Sequence, residues 1–151
     1  MATSLPIPSA TILMLRNGPK GLEVFMVVRH HQIDFASGAL VFPGGKLAEG
    51  DDKVSDFCKG ASTIDTELHY QVGAIREAFE ECGILLAREK GKTELIGAAR
   101  LATLEHYRKP LAKGELTIKA FLEAESLELA CDRLQHYAHW VTPSMMPKRF
   151  D

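Results

Sequence analysis

The chain has 151 residues, which is enough for one domain with a sizeable core. Hydrophobic residues make up 46% and charged residues 25%, and the net charge of −2 gives no electrostatic reason to expect nucleic acid or an anionic membrane as a partner. The three cysteines are widely separated, and the chain has neither a secretion-type N-terminus nor an apolar run of about 20 residues. We therefore expect a cytoplasmic protein without disulfides or a zinc site, and no binding to nucleic acid or membrane.

The first third of the chain is predicted to form β-structure. Residues 10–16 and 22–30 are apolar runs rich in β-branched residues, and the Asn-Gly-Pro-Lys-Gly sequence between them predicts two antiparallel strands joined by a turn. A third short strand is predicted over 39–42, just before the pair Gly44-Gly45. A glycine pair allows the backbone to turn sharply and to point amides or carbonyls at a ligand, although a plain turn is the alternative interpretation.

The residues from 68 to 84 predict the longest helix of the chain. Apolar residues recur along it at spacings of four and three, which is the helical period, so they fall on one narrow stripe. Glu77, Glu80 and Glu81 fall together on the opposite side, and Arg76 lies between the two faces, one turn from Glu80. The apolar stripe consists of Leu68, Val72, Ile75, Phe79 and Cys82.

Three carboxylates within one and a half turns repel one another, and the one nearby cation, Arg76, is not enough to neutralise them. Like-charge pairs at this spacing cost a few tenths of a kcal/mol each in an exposed helix. Mg²⁺ or Mn²⁺ would remove that cost, since these cations prefer oxygen ligands and keep waters that a phosphate can replace. Gly73, one turn before Glu77, is expected to leave room above the carboxylates. An ordinary solvated acidic face is the alternative interpretation.

The rest of the chain is predicted to be mostly helical. We expect the segment 94–134, with a first helix that ends near Pro110, to roof a pocket and to select the group attached to the substrate. His30 and His31 follow a predicted strand and are interpreted as exposed residues. Helices are predicted over residues 53–58, 94–107, 114–125 and 127–134, and a strand is predicted over residues 135–142.

Two separated segments resemble the signature of the Nudix hydrolase family. In that family, a glycine is followed after five residues by Glu, and after seven more by Arg-Glu-apolar-any-Glu-Glu-any-Gly-apolar. Residues 76–84 (REAFEECGI) match the second part at every fixed position. In the first part, Asp51 stands six residues after Gly45, where the family has its first glutamate. A further 25 positions separate Asp51 from Arg76 instead of 8, which is an insertion of 17 residues that contains 52–64.

Within the family, this insertion is similar to one in the coenzyme A diphosphatase branch. Residues 140–151 (WVTPSMMPKRFD) also resemble that branch, in which Trp-(Val/Ile)-Thr-Pro precedes Arg-Phe-Asp. The resemblance covers nearly the whole chain and implies one Nudix domain over 1–151, an α/β/α sandwich with a mixed sheet. Because relatives continue through more strands and a closing helix, it also implies that the C-terminal elements are missing.

The resemblance implies roles for residues of both segments. Glu77, Glu80 and Glu81 would bind Mg²⁺ or Mn²⁺, and Arg76 would orient these carboxylates. Glu80 and Glu81 are the candidates for the general base, so the implied catalytic set is Arg76, Glu80 and Glu81. The implied substrate-binding residues are Gly44, Gly45 and Lys46.

The implied reaction is attack of water on a nucleoside diphosphate that is linked to another group, without a covalent intermediate. The branch favours coenzyme A or an acyl derivative as substrate, and dinucleotides of the NADH or ADP-ribose type are the alternative. A third hypothesis is a Nudix-like domain that binds a nucleotide without cleaving it. The early C-terminus is the reason to consider it, because a domain without its C-terminal elements could be inactive. The implied partner is a small-molecule nucleoside diphosphate derivative, and a homodimer is one expected assembly.

Overall fold

The central element of the fold is a helix of 18 residues, α1 (Asp65–Cys82), which packs against strands β1 (Ser9–Thr11) and β6 (Gly44–Lys46). The computed structural model describes residues 5–28, 38–61 and 65–151, and no helix in these ranges combines the length and the apolar character needed to cross a membrane. The other elements are β2 (Leu15–Gly18), β3 (Gly21–Val24), β4 (Val27–Val28), β5 (Leu40–Val41), β7 (Ala87–Glu89), α2 (Ala98–Leu104), α3 (Arg108–Ala112), α4 (Ile118–Glu125) and β8 (Leu127–Leu129).

The strands pair in short antiparallel ladders: β1 with β6, β2 with β3, β4 with β5, and β7 with β8. The β2–β3 hairpin confirms an antiparallel pair around the predicted turn. The predicted strands over 10–16 and 22–30 are each interrupted, because β1 pairs with β6 and β4 pairs with β5 instead. Two isolated parallel bridges join Ile7 to Phe150 and Cys58 to Leu129. Strand pairing is therefore mixed in direction, and the predicted α/β class is confirmed.

The apolar stripe of α1 lies at the centre of the larger hydrophobic core. Ile75 and Phe79 are fully buried, and the ring of Phe79 stacks on that of Phe121 from α4, with centroids 5.5 Å apart. The helix ends at Gly83, whose φ of +70° favours glycine and whose N–H donates to the carbonyl of Phe79 at 2.9 Å. The predicted helix and its buried face are confirmed, with Cys82 only half-buried at its end.

In the segment 94–134, the helices predicted over 94–107 and 114–125 begin later, at Ala98 and Ile118, and two further differences concern Pro110 and residues 127–134. The helical chain continues past Pro110, because this proline lies in the first turn of α3, where its missing N–H costs no helical hydrogen bond. The helix predicted over 127–134 is wrong at its start, since residues 127–129 form β8 and pair with β7. Ser126 ends α4 in a left-handed conformation, with φ 53° and ψ 48°, and so redirects the chain into that strand.

The strand predicted over 135–142 is also wrong. Residues 135–141 are exposed and pair with no neighbouring strand in the described part of the chain, and Tyr137 and Trp140 are each 81% exposed. The helix predicted over 53–58 is reduced to a single 3₁₀ turn, Ser55–Phe57. His30 and His31 lie outside the described residues.

Gly73 does not leave open space above the carboxylates, so that expectation is wrong. A Cβ added to Gly73 would lie 2.6 Å from Cδ2 of Leu47 and 3.3 Å from Oδ2 of Asp51. The space in front of this glycine is filled by the side chains of the segment that follows β6. Gly73 therefore allows this segment to pack directly on the backbone of α1.

We expect Gly73→Ala to lower the free energy of unfolding by about 1 kcal/mol. Overpacking against Leu47 lowers the free energy of unfolding by about 1–3 kcal/mol, and the better helix propensity of alanine raises it by about 1 kcal/mol. Chemical denaturation measures the difference. Leu47→Ala should then cost less in the Gly73→Ala background than in the wild type, because it removes the overlapping methyl group. Equal costs in the two backgrounds would contradict this steric explanation.

Candidate active site

Strand β6 crosses the carboxylate side of α1 at short distance. The amide N–H of Gly44 donates to Oε2 of Glu81 at 3.2 Å. A Cβ added to Gly45 would lie 2.5 Å from Oε2 of Glu77, and one added to Gly44 would lie 2.3 Å from the carbonyl oxygen of Ala10. At Gly44 the clash would be with backbone, so only glycine permits this approach, and at Gly45 a Cβ would displace the Glu77 carboxylate. The glycine pair and the carboxylates consequently face each other.

A single guanidinium group, that of Arg76, ties the carboxylates together. Its Nη1 donates to Oε1 of Glu77 at 3.0 Å and to Oε1 of Glu80 at 2.9 Å. Its Nε donates to Oδ1 of Asp51 at 3.1 Å, and its Nη2 donates to the carbonyl oxygen of Lys46 at 2.7 Å. Arg76 is only 6% exposed, so these bonds are largely protected from water. The network fixes the carboxylates of α1 relative to the segment around β6.

The electrostatics of this network show an excess of negative charge. Burial by itself would lower the pKa of Arg76, but hydrogen bonds to Asp51 and Glu80 raise it above its ordinary value, so the guanidinium stays charged. Burial raises the pKa of Glu77, with further increases from the charges of Glu80 and Glu81, while Arg76 opposes the shift. One cation is thus insufficient to offset burial and the neighbouring carboxylates at Glu77.

We expect the contribution of Glu77 to stability in the metal-free protein to decline as the pH rises. A carboxyl group whose pKa is raised by folding stabilises the native state below its ordinary pKa of 4.5, and this stabilisation is lost as the pH rises through the raised value. Denaturation of the wild type and Glu77→Gln between about pH 4 and about pH 7 measures the difference between their unfolding free energies. The wild type should lose stability relative to the variant as the pH increases, and a gain would contradict the shift.

The network lines a cavity of about 470 Å³, which lies within the usual size range of ligand pockets. Strand β6 with the two residues after it, and the carboxylate face of α1, line the cavity together with the end of α3. The wall consists of residues 44–48, residues 111–114, and Arg76, Glu77, Glu80 and Glu81.

The residue types in this cavity suit a hard divalent cation. Three carboxylates supply the oxygen ligands that Mg²⁺ and Mn²⁺ prefer. Arg76 binds each of Glu77 and Glu80 through Oε1, so Oε2 of each carboxylate is not bound by Arg76. Among the described residues, no three His, Cys, Asp or Glu side chains already form a metal-binding group. Binding of an ion would therefore require the glutamate side chains to move toward one another on one face of α1.

The arrangement of these elements has a counterpart among solved structures. The crystal structure of a NUDIX hydrolase from Alicyclobacillus acidocaldarius matches with a TM-score of 0.79 and 28% sequence identity, over 99% of this chain and 68% of that chain. This chain has the Nudix fold. The match also supports the family resemblance seen in residues 76–84. Comparisons with protein-family models and with curated proteins gave no match.

Two residues of this site in the Nudix fold are only weakly signalled by the sequence. Asp51 is 1% exposed and pairs with Arg76, and its Oδ2 also accepts from the N–H of Ala48 at 2.9 Å. The sequence indicated a role for Asp51 only through its position after the glycine pair. In the structure, Asp51 both stabilises the turn and pairs with Arg76. Arg108 donates to the last carbonyls of α1, from Phe79 to Glu81, at 2.9 to 3.2 Å, where a positive charge is favourable.

Proposed function

We propose that the protein hydrolyses a phosphoanhydride bond in a nucleoside diphosphate linked to another group, and that the reaction requires Mg²⁺ or Mn²⁺. The observation that carries the proposal is the shared cavity, in which the Gly44-Gly45 pair faces three glutamates of α1. The fold shared with a NUDIX hydrolase supports the same reaction class.

Glu77, Glu80 and Glu81 would hold the divalent ion in this proposal. When bound, such an ion neutralises phosphate oxygens and lowers the pKa of a coordinated water. Arg76 orients Glu77 and Glu80 through its hydrogen bonds rather than by touching substrate. Glu80 or Glu81 would accept the proton of the attacking water, whose oxygen bonds to one phosphorus while the bridging P–O bond breaks and the other phosphate leaves, without a covalent intermediate.

The part of the cavity wall formed by residues 44–46 would bind the substrate. Gly44 and Gly45 bring backbone close to the carboxylates, and the ammonium of Lys46 suits a phosphate oxygen. We propose coenzyme A or an acyl derivative as the substrate, on the resemblance carried by the insertion after Asp51 and by residues 140–151. NADH and ADP-ribose contain the same bond type and are the second choice.

One observation favours binding without hydrolysis as a second candidate function. Arg76 already forms ion pairs with Glu77 and Glu80, and within the described ranges no three ligand side chains are assembled for a metal. A cavity that stayed in this state would bind a nucleotide through its glycine and lysine side alone.

A substrate panel separates the two candidates. Coenzyme A, NADH and ADP-ribose are incubated with the protein and Mg²⁺ or Mn²⁺, and phosphorylated products are detected by mass spectrometry. We expect turnover of at least one substrate, its loss in EDTA, and ¹⁸O from labelled water in one phosphate product. Calorimetric binding of these compounds without turnover would support the second candidate, and turnover that persists in EDTA would contradict the metal requirement.

A further inference from the structure

Residues 58–60 lie side by side with the segment that follows β8. A parallel bridge joins Cys58 to Leu129. The N–H of Lys59 donates to the carbonyl oxygen of Leu129 at 2.9 Å, and the carbonyl oxygen of Lys59 accepts from the N–H of Asp132 at 2.8 Å. These bonds hold the two backbones at the spacing of neighbouring strands.

The contact between these two segments requires glycine at position 60. Gly60 has a φ of +68°, and a Cβ added to it would lie 2.6 Å from Cβ of Asp132 and 2.9 Å from its Cα. Because the obstacle includes backbone, no larger residue fits without moving one of the segments. The close approach is therefore a built feature of the fold at this point.

Two of the three cysteines of the chain meet where these segments pair. Cys131 begins a 3₁₀ turn two residues after Leu129 and is 1% exposed. Its thiol is hydrogen-bonded to the thiol of Cys58, which is half-buried against the same hydrophobic core. A disulfide requires Cα atoms within about 7 Å of each other and side chains that point together, and paired backbones with touching thiols fulfil both conditions.

We propose that Cys58 and Cys131 form a site of reversible oxidation, at which a peroxide converts their two free thiols into a disulfide. Cys58 reacts first, because it is the more exposed of the two. Its sulfur attacks the peroxide, so that an S–O bond forms, the O–O bond breaks and one water leaves. The sulfur of Cys131 then attacks the sulfur of Cys58, the S–O bond breaks, and a second water leaves with the remaining thiol proton. Two electrons pass from the two thiols to the peroxide.

The environment of the pair determines how readily it reacts. The hydrogen bond to Cys131, together with burial, raises the pKa of the Cys58 thiol above its ordinary value. The thiolate is the reactive form, so this thiol reacts slowly at neutral pH. The pair therefore stays reduced while peroxide is scarce and is oxidised only when exposure is sustained.

The disulfide would close a loop from residue 58 to residue 131 that contains all four α-helices, α1 to α4. A cross-link over so long a loop restricts the unfolded chain and favours the native state. We expect the oxidised protein to melt about 10 °C higher than the reduced protein, and dithiothreitol to reverse the change.

Peroxide treatment of the folded protein tests this inference, and it needs no substrate, so its result is independent of the proposed function. After incubation with excess hydrogen peroxide, one of the three thiols should remain free when the protein is unfolded and titrated. The intact mass should fall by about 2 Da, because two thiol hydrogens are lost. Peptide mapping without reductant should recover the peptide of Cys58 joined to that of Cys131.

The same substitution at two cysteines provides the variant and its matched control. Cys58→Ser should form no disulfide within the chain and show no rise in melting temperature. Cys82→Ser should behave like the wild type, because Cys82 lies at the end of α1 beside Glu81 and Arg108 instead of a second thiol. Oxidation of Cys58 to a sulfinic acid with Cys131 still free, or a rise in melting temperature that persists in Cys58→Ser, would overturn the inference. Peptide mapping of the wild type decides the question even if Cys58→Ser does not fold.

Discussion

Replacing Glu80 and Glu81 together with glutamine is expected to lower kcat for phosphoanhydride hydrolysis by at least about 100-fold, even at high Mg²⁺. Glutamine keeps the size of each side chain but removes two of the three negative charges that face the Gly44-Gly45 pair. Metal affinity and the candidate general base are lost together. Arg76 keeps Asp51 and Glu77 as charged partners, so the helix should remain folded.

Two measurements accompany the kinetics of this double variant. The melting temperature of the wild type should rise with added Mn²⁺, because an ion that binds only the native state stabilises it, and the variant should not respond. Glu123→Gln, at a position 54% exposed on α4, removes a carboxylate outside the site and should keep the wild-type rate and metal response. Turnover that survives in the double variant would defeat the assignment of these glutamates to the metal and the base.

The elements of the fold that the sequence predicted correctly are those with a local cause. Helix α1 follows from its own period, because Ile75 and Phe79 occur at helical spacing and the core on one side buries them. The β2–β3 hairpin likewise follows from its turn sequence. In the site, the placement of Glu77, Glu80 and Glu81 on one side of α1 follows from the same helical period.

The elements that were missed depend on partners distant in the sequence. The residues of β8 also suit a helix. They form a strand because β7, which was not predicted either, pairs with them from some forty residues earlier in the chain, with Ala87 opposite Leu129. Residues 135–141 alternate like a strand but have no partner in the described part of the chain, so no ladder forms. The local sequence pattern alone therefore predicts neither the strand at 127–129 nor the absence of one at 135–141.

The same limit applies to the site. The fit of Gly73 against Leu47 depends on how the segment after β6 folds back on α1, which no helical period reveals. Arg108 reaches the last carbonyls of α1 from 27 to 29 positions further along the chain. Such contacts are fixed by tertiary packing, so they became visible only in three dimensions.

The second large effect is expected from Asp51→Asn, which should lower the free energy of unfolding by about 3 kcal/mol, the low end for a broken buried ion pair, because Arg76 retains other partners. Asp51 is 1% exposed and contacts Arg76 through both carboxylate oxygens, at 3.1 to 3.3 Å. With this anchor weakened, Arg76 no longer holds Glu77 and Glu80 in a fixed position. We therefore also expect kcat to fall by about 10- to 100-fold in the protein that remains folded.

Asp132→Asn is the control for this prediction, because it weakens the ion pair of a second buried arginine, away from the cavity, with a carboxylate that is 35% exposed. Arg88 is 1% exposed and donates to both carboxylate oxygens of Asp132, at 2.7 and 2.9 Å, and this interaction lowers the pKa of Asp132. Both variants should lose stability in denaturation experiments, but only Asp51→Asn should lower kcat per folded molecule. If both lowered kcat equally, the loss would be a general effect of instability; if neither did, Arg76 would not need Asp51 to position the carboxylates. A loss of activity confined to Asp51→Asn is the result that assigns the buried pair a role in orienting the site.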